Sequence, residues 1–146
     1  MTYSTEVEPM IVLDTSLIIS FFDEEDVLHQ KAVKAFEEFE NGGDQLLLTD
    51  YVLNEAVSVT LRKGGLEKSK ELLEFLLEYK NMELFHVDAD GFKEVIKVFR
   101  EQKDNLSFID CSLLWLAHAY GFRVETFDKN LLSELEKITE TRRSRR

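Results

Sequence analysis

Four acidic side chains, far apart in the sequence, stand at positions where they could do chemistry. Asp14 and Asp128 each directly follow a short run that predicts a β-strand, while Glu55 and Asp110 fall early in stretches with helical spacing of apolar residues. Carboxylates that cluster in a folded protein raise one another's pKa unless a cation is bound. Hard divalent cations such as Mg²⁺ and Mn²⁺ take oxygen ligands, so the chemistry expected of such a cluster is binding of one of these ions.

Each of these acids also has a plain structural explanation. An Asp that leaves a strand often caps the next helix, which suits Asp14 and Asp128. Ser107 and Asp110 have the spacing of a capping box, in which each side chain accepts a hydrogen bond from the other residue's backbone N–H. Glu55 could belong to the solvated flank of its helix. From the residues alone, the structural and the functional explanations both stay open.

The apolar pattern predicts strands that alternate with helices. Strands are predicted at 10–13, 46–48, 82–87 and 123–127, and helices at about 25–40, 50–63, 66–79, 89–103, 107–120 and 130–138, with a turn through 16–21. This alternation indicates an α/β fold of three layers, in which helices cover both faces of a central, mostly parallel sheet of four to five strands. In such sheets the working crevice lies beyond the carboxyl ends of the strands, where the acids should meet.

Composition excludes several classes of protein. The chain of 146 residues suits one domain, and its single cysteine, Cys111, rules out an internal disulfide framework and a multi-cysteine zinc site. Its three histidines show no HExxH spacing, which disfavours zinc. The formal net charge of −11 argues against a broad basic face for nucleic acid, although bound cations or the arginines near the C-terminus could offset it locally.

The ends of the chain differ from its middle in composition. Residues 1–9 are polar and acidic, without the basic and apolar stretches of a secretory signal, and predict an N-terminal extension. Residues 10–138 predict one domain, and residues 139–146 predict a charged, disordered tail. Because no apolar run is long enough to span a bilayer, we expect a cytoplasmic protein.

Four short motifs, in order, resemble the landmarks of PIN domains. They are IVLDTS, LNEAVS, LSFIDCSLLWLA and TFDKNL, and the resemblance runs from Met10 to about Ile138. Each motif is loose, but the ordered set is fairly specific. Within the family the chain is most similar to the small PIN proteins of the VapC kind, which are toxins of type II toxin–antitoxin pairs.

The resemblance implies a Mg²⁺- or Mn²⁺-dependent endoribonuclease that hydrolyses RNA phosphodiester bonds. By position, the catalytic and metal-binding acids would be Asp14, Glu55, Asp110 and Asp128, supported by the hydroxyls of Ser16, Ser107 and Thr126. The family also implies a homodimer and a small antitoxin protein that blocks the site. The chain departs from the pattern after Asp128, where residues 131–133 lack the aromatic side chain often found there.

Other functions remain open at this stage. The main alternative is a non-catalytic PIN-like module that binds RNA or protein. A receiver-like domain would need paired acids at the end of the first strand, and Leu13 precedes Asp14. A haloacid-dehalogenase-type phosphatase would need Asp-x-Asp, and Ser16 occupies the second place. No GxxxxGK[ST] or GxGxxG motif supports a nucleotide cofactor.

Overall fold

The computed structural model describes residues 10–144, which form an α/β/α arrangement of three layers. The elements are, in chain order, β1 (Ile11–Leu13), α1 (Thr15–Phe22), α2 (His29–Gly42), β2 (Leu46–Thr49), α3 (Asp50–Gly64), α4 (Leu66–Glu78), β3 (Met82–Phe85), α5 (Ala89–Glu101), α6 (Phe108–Tyr120), β4 (Arg123–Glu125) and α7 (Lys129–Ser144). The predicted fold class is confirmed, with four strands in the described part of the chain, all of them parallel.

The sheet has the strand order β3-β2-β1-β4, so β1 lies in its interior. All three residues of β1 are buried, as expected for a strand that is covered on both faces. Its register pairs Ile11 with Leu46 of β2 on one side and with Arg123 of β4 on the other. Because the strands run parallel, the residues that follow β1, β2 and β4 emerge at the same edge of the sheet.

The helices form two packed sets. In one set α1 contacts α2 and α3, and α3 contacts α4; in the other, α6 contacts both α5 and α7. A buried glycine, Gly91, lets α5 approach α6 closely, because a Cβ atom at this position would lie 2.7 Å from Cη2 of Trp115. This close approach fixes the first turn of α5 against α6, the helix that carries Asp110.

The predicted boundaries differ most from the structure at the start of α2 and at the end of α7. Helix α2 begins at His29 rather than near residue 25, because Asp23 and Asp26 bend the preceding segment by accepting backbone N–H bonds two residues ahead. Helix α7 continues to Ser144, so residues 139–144 are helical where we predicted a disordered tail. The guanidinium of Arg142 anchors this last turn by donating to the carbonyl oxygens of Ala117 and His118 at 2.9 and 2.7 Å.

The predicted N-terminal extension, residues 1–9, and the final residues 145–146 lie outside the described part of the chain. The division into extension, domain and tail therefore stays a prediction as a whole. Between residues 10 and 144, no helix has the length and apolar character needed to cross a membrane.

Candidate functional site

Asp14 is a buried carboxylate at the junction of β1 and α1. Only 4% of its surface is exposed. One carboxylate oxygen accepts the backbone N–H of Thr15 at 2.7 Å, and the other accepts the hydroxyls of Thr126 at 2.6 Å and Ser16 at 3.2 Å. Asp14 thus does cap α1, and it is also held by three donors.

The hydroxyls of Ser16 and Thr126 join Asp14 to the chain that leaves β4. Thr126 Oγ1 accepts the backbone N–H of Asp128 at 3.0 Å, and Ser16 Oγ accepts that of Phe127 at 3.1 Å. The backbone of Asp128 is thereby fixed relative to Asp14, although the two acids belong to different motifs of the sequence.

 Ser16 and Thr126 thus make hydrogen bonds to Asp14 of the kind that their predicted supporting roles require. The roles themselves stay predictions.

Asp110 lies in the first turn of α6, where the predicted capping box is present. Its carboxylate accepts the backbone N–H of Ser107 at 3.1 Å, and its own N–H donates to Ser107 Oγ at 3.0 Å. Ser107 therefore contacts the acid that it was expected to support. The second carboxylate oxygen of Asp110 has no hydrogen-bond partner among residues 10–144, so capping leaves half of the group available.

Asp128 and Glu55 are the more accessible of the four acids. Asp128 is exposed and caps α7, because one of its oxygens accepts the backbone N–H of Leu131 at 3.0 Å. Glu55 is half-buried on α3, where it lines a groove next to Ile109, the residue before Asp110. Glu55 of α3 and the residue that precedes Asp110 in α6 thus line the same groove.

The charges of the four acids act on one another. Burial raises the pKa of Asp110, and the charges of Asp128 and Glu55 raise it further, against the lowering effect of the Ser107 hydrogen bonds. Burial also raises the pKa of Asp14, and the charge of Asp110 adds to that rise. We call Asp14, Glu55, Asp110 and Asp128 the acidic cluster, with Asp110 as the member that interacts with all three others.

The acidic cluster is not a preformed metal cage. Within residues 10–144, no three His, Cys, Asp or Glu side chains lie close enough together to hold a metal ion. Among the described residues, neither Asp14 nor Asp110 forms an ion pair with a basic side chain, and both are stabilised by hydrogen bonds alone. The donors are all oxygen atoms, which is the ligand chemistry that Mg²⁺ and Mn²⁺ prefer.

Two other acids, Asp50 and Asp104, have structural contacts instead. Asp50 joins the start of α3 to the segment that follows β3, because it accepts the backbone N–H of Val87 at 3.1 Å and contacts Nδ1 of His86 at 2.7 Å. Asp104 lies by Glu134 and Lys137. Neither acid contributes to the raised pKa of Asp14 or Asp110.

The PIN domain family model matches residues 11–138 of the sequence. The chain belongs to the PIN domain family. The expected family is thereby confirmed, over nearly the whole length on which the four motifs were found.

Individual relatives agree with this assignment. A VapC ribonuclease from Aquifex aeolicus (strain VF5) is 28% identical over 103 residues, which cover 70% of this chain and 74% of that protein. The crystal structure of VapC20 from Mycobacterium tuberculosis, described as a Sarcin-Ricin loop cleaving toxin, is similar with a TM-score of 0.71, at 18% identity over 84% of this chain and 93% of that one. PAE2754 from Pyrobaculum aerophilum is similar with a TM-score of 0.59, at 16% identity over 90% of each chain.

Two features beside the acidic cluster were not predicted from the sequence. The hydroxyl of Thr15 is buried and has no hydrogen-bond partner among the described residues. No pattern in the sequence predicts this. The second feature is the groove beside Glu55, to which α3 contributes Tyr51, Ser58 and Arg62. These residues follow helical spacing around Glu55, so the same periodicity that placed Glu55 could have identified them.

Proposed function

We propose that this PIN domain is a metal-dependent endoribonuclease of the VapC kind, which hydrolyses phosphodiester bonds of RNA at the acidic cluster. The observation that carries the proposal is that Asp14, Glu55 and Asp128, from three other motifs, all interact with Asp110, whose pKa is raised by burial and by the charges of Asp128 and Glu55. The likeness to a VapC ribonuclease and to a toxin structure supports it.

The cation of this proposal is Mg²⁺ or Mn²⁺, held by carboxylates of Asp14, Glu55, Asp110 and Asp128. Carboxylate oxygens whose charges repel one another fit a hard divalent cation, and the side chains of the exposed Asp128 and the half-buried Glu55 would have to rotate to reach it. Such an ion supplies a water of lowered pKa and stabilises negative charge on phosphate oxygens.

The chain's own residues would position these ligands. Ser16 and Thr126 hold the carboxylate of Asp14 in one orientation, and Thr126 also fixes the backbone of Asp128. Ser107 holds one oxygen of Asp110 and leaves the other free for a ligand. Hydrogen bonds of this kind orient metal ligands and are typically worth about 10- to 100-fold in metal affinity or activity.

Two partners belong to the same proposal. Likeness to the VapC toxins supports a small antitoxin protein that blocks the acidic cluster, and a second copy of this chain as a homodimer. Neither partner is needed for the chemistry at the four acids, which all belong to one chain. Cleavage by the isolated protein therefore tests the function independently of its partners.

Incubation of the purified protein with single-stranded RNA tests the proposal. We expect cleavage with Mn²⁺ or Mg²⁺, none in excess EDTA, and products that end in a 5′-phosphate and a 3′-hydroxyl. Among the described residues no histidine ring makes a hydrogen bond to any of the four acids, so no acid–base pair of histidines is offered for attack by the 2′-hydroxyl. Cyclic 2′,3′-phosphate ends, or equal cleavage in EDTA, would contradict the metal-dependent mechanism. Binding of RNA without cleavage under any metal condition would favour the non-catalytic PIN-like module.

A further inference from the structure

Next to the acidic cluster lies a groove of about 490 Å³ with aromatic walls. Its lining residues come from three helices, and they are Tyr51, Asn54, Glu55, Ser58, Arg62, Phe92, Phe108 and Ile109. The ring of Phe108 lies 6.0 Å from that of Tyr51 and 5.7 Å from that of Phe92, measured between centroids. Phe108 thus contacts both of the other rings, and we call the groove that the three rings line the aromatic groove.

We propose that the aromatic groove binds an unstacked nucleobase of the RNA strand next to the bond that is cleaved. The inference rests on the proposed function, since it names a base-binding subsite for the same substrate. Its central observation is that Glu55 belongs both to the groove and to the acidic cluster. An RNA strand that has a phosphate at Asp110 would therefore pass close to the rings of the aromatic groove.

The aromatic groove includes a phenylalanine side chain, Phe92, that is exposed to solvent. Phe92 keeps 46% of its surface exposed at the lip of the groove, although the aromatic ring would be stabilised by burial. Gly91, which lies directly before Phe92, holds this turn of α5 against Trp115 of α6. Phe92 is thus presented to solvent by a close helix contact rather than by a loose surface loop.

The polar residues of the groove suit a nucleotide. Arg62 supplies a cation for a phosphate or for stacking on a base. The hydroxyl of Ser58 donates to Oδ1 of Asn54 at 3.2 Å, so the amide nitrogen of Asn54 can turn its two N–H groups towards acceptors on a base edge. Tyr51 and Phe108 offer ring faces, on which any base can stack.

The net charge of the chain favours stacking as the source of binding. With a formal charge of −11, the protein as a whole repels a phosphate backbone. Stacking on aromatic rings depends little on net charge and contributes about 5- to 150-fold in affinity for each base. A stacked base would also hold the strand in place while a cation at the acidic cluster balances the local charge.

Two variants of α5 form a matched pair for the test. Phe92 lines the groove, whereas Phe99 is equally exposed at 45%, also neighbours Phe108 at 6.0 Å, and does not line the groove. In an Asp110→Asn background that prevents cleavage, we would measure binding of a fluorescein-labelled single-stranded RNA by anisotropy. Phe92→Ala should weaken binding about tenfold, and Phe99→Ala should leave it within about twofold.

A second substrate series ties the effect to a base. Abasic nucleotides are placed at each position of the RNA in turn. In the protein that keeps Phe92, loss of the base at one position should weaken RNA binding by a factor similar to that of Phe92→Ala. At that position, Phe92→Ala and the abasic nucleotide should not be additive, because each removes the same contact. Full additivity at every position would overturn the proposal.

The remaining outcomes separate this inference from the proposed function. If the protein cleaves RNA and Phe92→Ala neither weakens binding nor raises KM, the base subsite is wrong and the proposed function stands. If Phe92→Ala abolishes self-association in sedimentation while RNA binding is unchanged, the groove is covered by a second copy of the chain. If the unsubstituted protein neither binds nor cleaves any RNA, both proposals fail.

Discussion

The substitution Asp110→Asn is expected to reduce metal-dependent RNA cleavage by at least about 100-fold, since loss of a residue that only orients a metal ligand through a hydrogen bond already costs about 10- to 100-fold. Asparagine keeps the shape of the side chain and can still accept the N–H of Ser107, so α6 keeps its capping box. What it removes is the negative charge that interacts with Asp14, Glu55 and Asp128. Initial cleavage rates in saturating Mn²⁺ measure the effect.

Asp88→Asn is the matched control for this substitution. Asp88 is the N-cap of α5, and its carboxylate accepts the backbone N–H of Gly91 at 2.8 Å, much as Asp110 accepts that of Ser107 at the start of α6. Asp88 is exposed and lies outside the acidic cluster. Its neutral variant should cleave RNA within about twofold of the unsubstituted protein, as surface changes of this kind are nearly silent. Undiminished cleavage by Asp110→Asn would remove Asp110 from the site.

Asp14→Asn is expected to flatten the pH dependence of stability in the metal-free protein. Burial raises the pKa of Asp14 in the folded state above its ordinary value, so the folded protein holds this proton more tightly than the unfolded chain does. The free energy of unfolding therefore falls as pH rises from the ordinary pKa through the folded pKa, by about 1.4 kcal/mol for each unit between them. Asparagine does not titrate, so the part of this fall that comes from the carboxyl of Asp14 is absent in Asp14→Asn.

Urea unfolding in EDTA across the acidic range, compared between the two proteins, measures this difference. Asp110 contributes a fall in the same direction, so part of the slope should survive in Asp14→Asn. Saturating Mn²⁺ should oppose the fall in the unsubstituted protein, since a bound cation stabilises the ionised carboxylates. Parallel curves for both proteins in EDTA would show that the buried charge of Asp14 carries no such cost.

Much of the fold follows from local sequence patterns. The short apolar run Ile11–Leu13 predicted a strand buried on both faces, and β1 is the interior strand of the sheet. The boundaries that failed depend on side-chain contacts that periodicity does not encode. Asp26 ends a turn by accepting the N–H of Leu28, and Arg142 anchors α7 to carbonyls of α6 that lie far away in the sequence.

The acidic cluster was predictable because parallel strands end at one edge of a sheet. The spacing of Ser107 and Asp110 predicted their contact, whereas the hydrogen bond from Thr126 to Asp14 depends on the pairing of β1 with β4. The aromatic groove could not be predicted in full, since Phe92 reaches Phe108 only through the packing of α5 on α6. How closely the carboxylates approach one another depends on rotamers, which sequence does not specify.

The central claim is that acids from separate parts of the chain together hold one divalent cation or a pair of them. Isothermal titration of the RNA-free protein with Mn²⁺ tests it most directly, with Asp14→Asn and Asp110→Asn titrated in parallel. We expect saturable binding by the unsubstituted protein and affinities at least about tenfold weaker in both variants. Mn²⁺ affinities that are the same in all three proteins, or no saturable binding by the unsubstituted one, would contradict the claim.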